Sequence, residues 1–242
     1  METDDEPLFI ELAKVIANRQ ADELAVKGQL TIERGLFVEQ KMATIVEALN
    51  DENTKIRKSL IKANQLLMED LELLPNVEKE LRTQELSVMT DKLNQVVDPD
   101  QLVAAGSWQN FLNLSNETLL WIYNLGYRCF EEKKYKEASS LFLILTLLNP
   151  LVCDYWVALG FAQRGLLLDA SALNSFVTAT TLNPDNPAAR YQAADIYLQL
   201  KQPTEAIEEL EALLKIIEDQ RLDVLRPCTE LLLDTAKKEQ RV

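Results

Sequence analysis

The chain of 242 residues contains no histidine. That absence removes histidine-based nucleophile triads, histidine metal ligands and the usual proton shuttle of neutral pH. Glycine is nearly as scarce, at six residues. Gly160 and Gly165 form no phosphate-cradling loop at a strand-to-helix turn. Cysteine is limited to Cys129, Cys153 and Cys228, an odd number without metal-ligand spacing, each in a helical and mostly apolar stretch. Core thiols of a reducing compartment are the expectation. No apolar run reaches the roughly 18 residues of a membrane span. The N-terminus, METDDEPLFIELAKV, is acidic where a secretory signal would be basic. Basic side chains are outnumbered, 25 against 39 acidic ones, for a formal charge of -14. Such a chain is not expected to bind nucleic acid phosphates or anionic lipid surfaces. These absences predict a cytoplasmic protein with no cofactor, no metal site, no catalytic residues and no direct membrane insertion.

What is present points to helices. Hydrophobic residues make up 47% and charged residues 26%, with Leu, Ala, Glu, Gln and Lys dominating. Acidic stretches such as EELEALLKIIED and EEKKYKEA read as solvated helix faces rather than paired acid and base.

The motif LNP occurs at 148–150 and again at 182–184, so its two prolines are 34 residues apart. Other positions recur at that interval. Leu125 pairs with Leu159, Gly126 with Gly160, Ala138 with Ala172, and Phe142 with Phe176. A third copy keeps Ala194, Tyr197 and Ala206, while Leu210 stands in for the aromatic and Glu218 for the proline. Each unit reads as two antiparallel helices. In the second, helix A is predicted over about Val152 to Arg164 and helix B over about Asp169 to Leu182, with the Asn-Pro after it as a stop. Trp156, Leu159, Gly160, Ala172, Phe176, Ala179 and Pro184 match the tetratricopeptide-repeat signature. The expected fold is therefore all-α: a right-handed superhelix of three repeats, at 119–152, 153–186 and 187–220. A capping helix from about Asp223 to Lys238, within 221–242, covers the last unit.

In such arrays the A helices line the concave side. Helix A positions away from the packing face are Tyr123, Tyr127 and Phe130 in unit one, Val157, Phe161 and Arg164 in unit two, and Tyr191, Asp195 and Leu198 in unit three. An aromatic stripe at helical spacing can also be plain core. Here Ile122, Leu125, Gly126 and Cys129 already supply a packing face, which favours a groove for an apolar, extended ligand. The Lys, Asn and Arg residues by which some tetratricopeptide proteins clamp the C-terminal carboxylates of heat-shock chaperones are replaced here mostly by Tyr, Phe, Val and Leu.

The segment SNETLLWIYNLGYRCFEEKKYKEASSLFLILTLLNP, preceded by AAGSWQNFLNL, resembles the class II chaperones of type III secretion, the SycD/LcrH type. Leu119, Tyr123, Leu125, Lys134, Tyr135 and Ala138 carry the likeness, which spans about residues 93 to 225. It implies a bacterial cytosolic chaperone that holds a Pro-x-Leu-x-x-Pro-like segment of hydrophobic, pore-forming translocator proteins in its groove. Tyr123, Tyr127 and Phe130 would be the groove aromatics, with Arg164 and Tyr191 as further carry-overs; self-association as a homodimer is left open. The alternative is a scaffold or regulatory adaptor that joins folded proteins.

Residues 1–92 exceed the short arm typical of that family, and 93–118 would be a leading helix and linker. Helical periodicity recurs in Leu8, Leu12 and Val15, in Val38, Met42, Ile45 and Leu49, and in Ile56, Leu60, Ala63, Leu67, Leu71 and Leu74, ending at Pro75. A hairpin or bundle, an intermolecular coiled coil, docking onto the repeats or contact with a second client all fit that pattern.

Overall fold

The computed structural model describes residues 62–93 and 108–240. The periodic runs predicted within residues 1–61 lie outside the described residues. Every regular element among those described is helical. Residues 62–71 (α1) and Asn76–Leu93 (α2) are followed by the short Trp108–Leu112 (α3). Three helix pairs come next: Asn116–Glu131 (α4) with Tyr135–Leu148 (α5), Cys153–Gly165 (α6) with Asp169–Leu182 (α7), and Pro187–Gln199 (α8) with Pro203–Gln220 (α9). A 3-10 turn at Asp223–Leu225 leads into Arg226–Gln240 (α10). Each helix from α4 to α10 packs on the next, giving the stacked tetratricopeptide architecture the repeat predicts.

The recurrence of small and aromatic residues has a direct packing cause. A Cβ placed on Gly126 would lie 2.8 Å from the Phe142 ring, and one on Gly160 would lie 2.7 Å from the Phe176 ring. Both rings are essentially inaccessible to solvent. The A helix must lack a side chain where the B helix inserts its phenyl group. Unit three solves the same contact differently: Ala194 and Leu210 are both fully buried in one cluster, the smaller knob leaving room for a methyl group.

The turns also repeat. Lys133, Leu167 and Lys201 all adopt the left-handed conformation, with φ of 61°, 60° and 60°. In each case the next residue donates its N–H five residues back, from Lys134 to Cys129, Leu168 to Gln163 and Gln202 to Tyr197, closing a Schellman motif. None of the three is glycine. Between units, Asn149 and Asn183 turn the chain by accepting the N–H of Leu151 and Asp185 on their side-chain oxygens. Trp156 Nε1 then donates to the Pro150 carbonyl at 2.8 Å, and Arg190 Nε donates to the Pro184 carbonyl at 2.6 Å. The LNP motif is thus a helix stop, a side-chain turn and an anchor for the following helix. Where Glu218 replaces the proline, α9 runs on to 18 residues against 14 for α5 and α7.

Boundaries differ from the sequence reading in three places. α4 begins at Asn116, because Ser115 caps it by accepting the Thr118 N–H. The helix before Pro75 ends at Leu71, so Leu74 lies in the turn rather than on the helix face; proline disfavours the helical conformation of the residue preceding it. The capping helix proper starts at Arg226, after the 3-10 turn.

The described part of the N-terminal region docks onto unit one. Ala63 and Leu67 join the core cluster of Leu119, Ile122, Leu125 and Leu141. Asp70 is 7% exposed, accepts a hydrogen bond from Trp121 Nε1 at 2.7 Å and pairs with Arg128. Arg82 of α2 donates to Ser115 and Thr118, and Gln109 of α3 links Asn116 to Asn149. These contacts give the first repeat a neighbour on α4. Cys129 is buried, whereas Cys153 is half-buried and Cys228 exposed, so core placement holds for only the first of the three thiols.

Candidate functional site

The A helices α4, α6 and α8 present the face on which the sequence places its site residues. On α4, Tyr123 is half-buried, its ring 5.6 Å from Phe142 below and 6.0 Å from Tyr155 of α6 beside it. Tyr127, one turn further on, is 50% exposed although it is a large aromatic residue. The Glu131 carboxylate, one turn further along α4, pushes the phenol pKa above its ordinary value. Phe130 is partly buried and meets Tyr135 edge-on at 5.4 Å. It packs on the start of α5 and against the core cluster of unit one.

In unit two, Val157 and Phe161 are half-buried, with Phe161 edge-on to Phe176 at 5.4 Å. Arg164 extends to unit three: its guanidinium lies 2.7 Å from Asp195 and 4.0 Å from Asp169, and it donates to Gln192. The structure therefore joins Arg164 and Asp195 into one polar clasp between α6 and α8, where the sequence reading treats them as separate positions. Tyr191 is half-buried beside that clasp, and burial, with smaller effects from Cys228 and Asp195, raises its pKa. Leu198 is different. At 8% exposure it belongs to the core cluster of Ala194, Ala206, Leu210, Leu233 and Ala236, so it has no surface to offer a ligand. The cap α10 covers a position that is half-buried in the earlier units.

Three residues of this face escape the sequence reading. Leu120 precedes Tyr123 by three and Tyr127 by seven, which is the same helical stripe, and it is 57% exposed. Extending the stripe one turn backward would have found it. Tyr155 and Asp154 have no such signal, because Tyr155 has tryptophan and alanine as its counterparts, Trp121 and Ala189. Burial is the main cause raising the pKa of both Tyr123 and Tyr155, and the charge of Asp154 raises both further. Leu120, Tyr123, Tyr127 and Tyr155 together make an apolar stretch with hydroxyl edges on units one and two. The Arg164–Asp195 clasp bounds it toward unit three.

Among the described residues no group of His, Cys, Asp or Glu is arranged to hold a metal ion, and no helix is long and apolar enough to cross a membrane. The face can bind, through aromatic surfaces, hydroxyl groups and a few charges.

The tetratricopeptide-repeat family model matches residues 170–224. No curated protein matches the chain in sequence. Several solved structures share its fold. A type III secretion system complex from Aeromonas hydrophila has a TM-score of 0.56 at 21% identity, covering 58% of this chain and 95% of the other. The type III secretion translocator chaperone SycD of Yersinia enterocolitica has 0.51 at 21%, covering 53% and 90%. SycD in complex with a peptide of the translocator YopD has 0.50 at 21%, covering 52% and 98%. The chain has the fold of these proteins over its repeat region.

Proposed function

We propose that this protein is a type III secretion chaperone that binds an extended, apolar segment of hydrophobic translocator proteins along its A-helix face. It keeps them soluble and secretion-competent in the bacterial cytoplasm, and its role is binding rather than catalysis. The observation that carries the reading is the exposure of Leu120 and Tyr127 beside Tyr123 and Tyr155, which pack on the core with one side and stay half-exposed on the other. The complex of SycD with a YopD peptide, which shares the fold, supports it. So does the physics of the client. A protein with membrane-spanning segments aggregates or inserts early, and a groove that orders one extended segment delays both while the ordering cost of a few kcal/mol keeps the complex releasable.

The test is co-expression with a candidate translocator, comparing soluble client for the native chain and for Tyr127→Ala. Loss of about 1–2 kcal/mol of binding is expected for a truncated aromatic contact, with the melting temperature unchanged because the ring is exposed. A client that stays equally soluble without this protein would defeat the chaperone reading and favour an adaptor joining folded partners.

A further inference from the structure

The charge balance of the face narrows what it can hold. Beside the tyrosines of units one and two stand two carboxylates, Asp154 and Glu131, both exposed. Glu131 follows Tyr127 by four, one turn along α4, and raises the pKa of its phenol. Asp154 precedes Val157 by three and Phe161 by seven on α6, so it lies on the same helical stripe, at the place Leu120 takes in unit one and next to Tyr155 in sequence. It makes no ion pair among the described residues, and its charge helps raise the phenol pKa of both Tyr123 and Tyr155. The cation nearest in the repeat register, Arg164, is already committed to Asp195, Asp169 and Gln192. Arg128 is committed to Asp70. The apolar stretch therefore carries uncompensated negative charge next to two aromatic rings 6.0 Å apart, within a chain of formal charge -14. Ring faces and a carboxylate together suit an ammonium or guanidinium group.

We infer that the bound segment carries a lysine or arginine between or beside its apolar anchors, and that Asp154, with Tyr123 and Tyr155, selects it. This rests on the groove reading above and adds a charge rule to it. Asp154 also sits in the first turn of α6, where a carboxylate favours the helix. That helix effect changes stability only; it does not make the face distinguish one peptide charge from another.

The experiment uses the full chain and three synthetic peptides sharing Pro-x-Leu-x-x-Pro spacing, with the intervening positions filled by lysine, alanine or glutamate, followed by calorimetry. The lysine peptide is expected to bind about five-fold tighter than the alanine peptide, and the glutamate peptide weaker than both. The preference should shrink as salt is raised. Asp154→Asn should bring lysine and alanine peptides together, and Asp154→Lys should reverse the order. Equal binding of all three peptides, still weakened by Tyr127→Ala, would overturn the charge rule while leaving the groove reading intact. Failure of every peptide to bind would overturn both. The comparison on the native chain needs no variant to fold.

Discussion

Tyr127 and Leu167 are both exposed on helical repeats, yet physical chemistry assigns them different meanings. Tyr127 lies on the A-helix face among other apolar groups, where its exposed ring is surface available for contact. Leu167 is 85% exposed at a turn and holds φ of 60°, a conformation that strains any residue with a Cβ. A left-handed residue costs about 1–2 kcal/mol, and glycine removes that strain while losing about 0.5–1 kcal/mol to added freedom in the unfolded chain. Leu167→Gly should therefore stabilise the protein by about 0.5–1 kcal/mol, raising the melting temperature by roughly 2 °C. A lower melting temperature would mean that the leucine side chain holds the turn. At this scale the aromatic positions of unit one are legible from spacing alone. The loss of Leu198 to the core is not, because the covering residues Leu233 and Ala236 come from a helix more than thirty residues later.

The helix pair is the element on which the repeat is built. Gly126 against Phe142 and Gly160 against Phe176 are matched in shape, as are Ala194 and Leu210 in unit three. Gly160→Ala should destabilise by about 1–3 kcal/mol through overpacking, even though alanine favours the helix. Adding Phe176→Leu should recover part of that loss by copying the third unit's solution. Urea denaturation of the two variants and the native chain checks this. If the double variant is less stable than Gly160→Ala alone, the two sites do not compensate each other. Helix stops were readable to within a few residues because they depend on local chemistry, asparagine turns and proline stops, while the Ser115 cap moves the start of α4 ahead of the expected 119. The extra turn of α9 follows equally locally from Glu218 in the proline's place.

Across the whole molecule, tyrosines at the joints between units share one electrostatic property. Tyr123, Tyr155, Tyr191 and Tyr197 all have phenol pKa values raised above 10.0, with burial the largest cause in each. The folded chain thus keeps protons that the unfolded chain gives up first. Their contribution to stability is fully present below about pH 10 and is lost as pH rises through the folded values. Urea midpoints should be flat from neutral pH to about pH 9 and then fall, and phenolate absorbance should rise later in the native protein than in urea. Native tyrosines titrating at or below the free value would contradict this. Because stacked repeats contact only their neighbours, the loss should spread over all three units rather than unfold one.

The all-helical class, the 34-residue period, the paired Gly and Phe positions and the aromatic stripe of α4 are determined by the sequence by itself. They are carried by periodicity and turn chemistry acting over a few residues. Only the tertiary structure decides that Asp70 seats α1 on Trp121 and Arg128, that Arg164 spends its charge on Asp195, and that Asp154, whose charge acts on two tyrosines, makes no ion pair among the described residues. These pairings join residues between about thirty and sixty positions apart, or depend on which neighbours a side chain finds when helices close. No repeating pattern encodes them, because each is made once, by the shape of the stack.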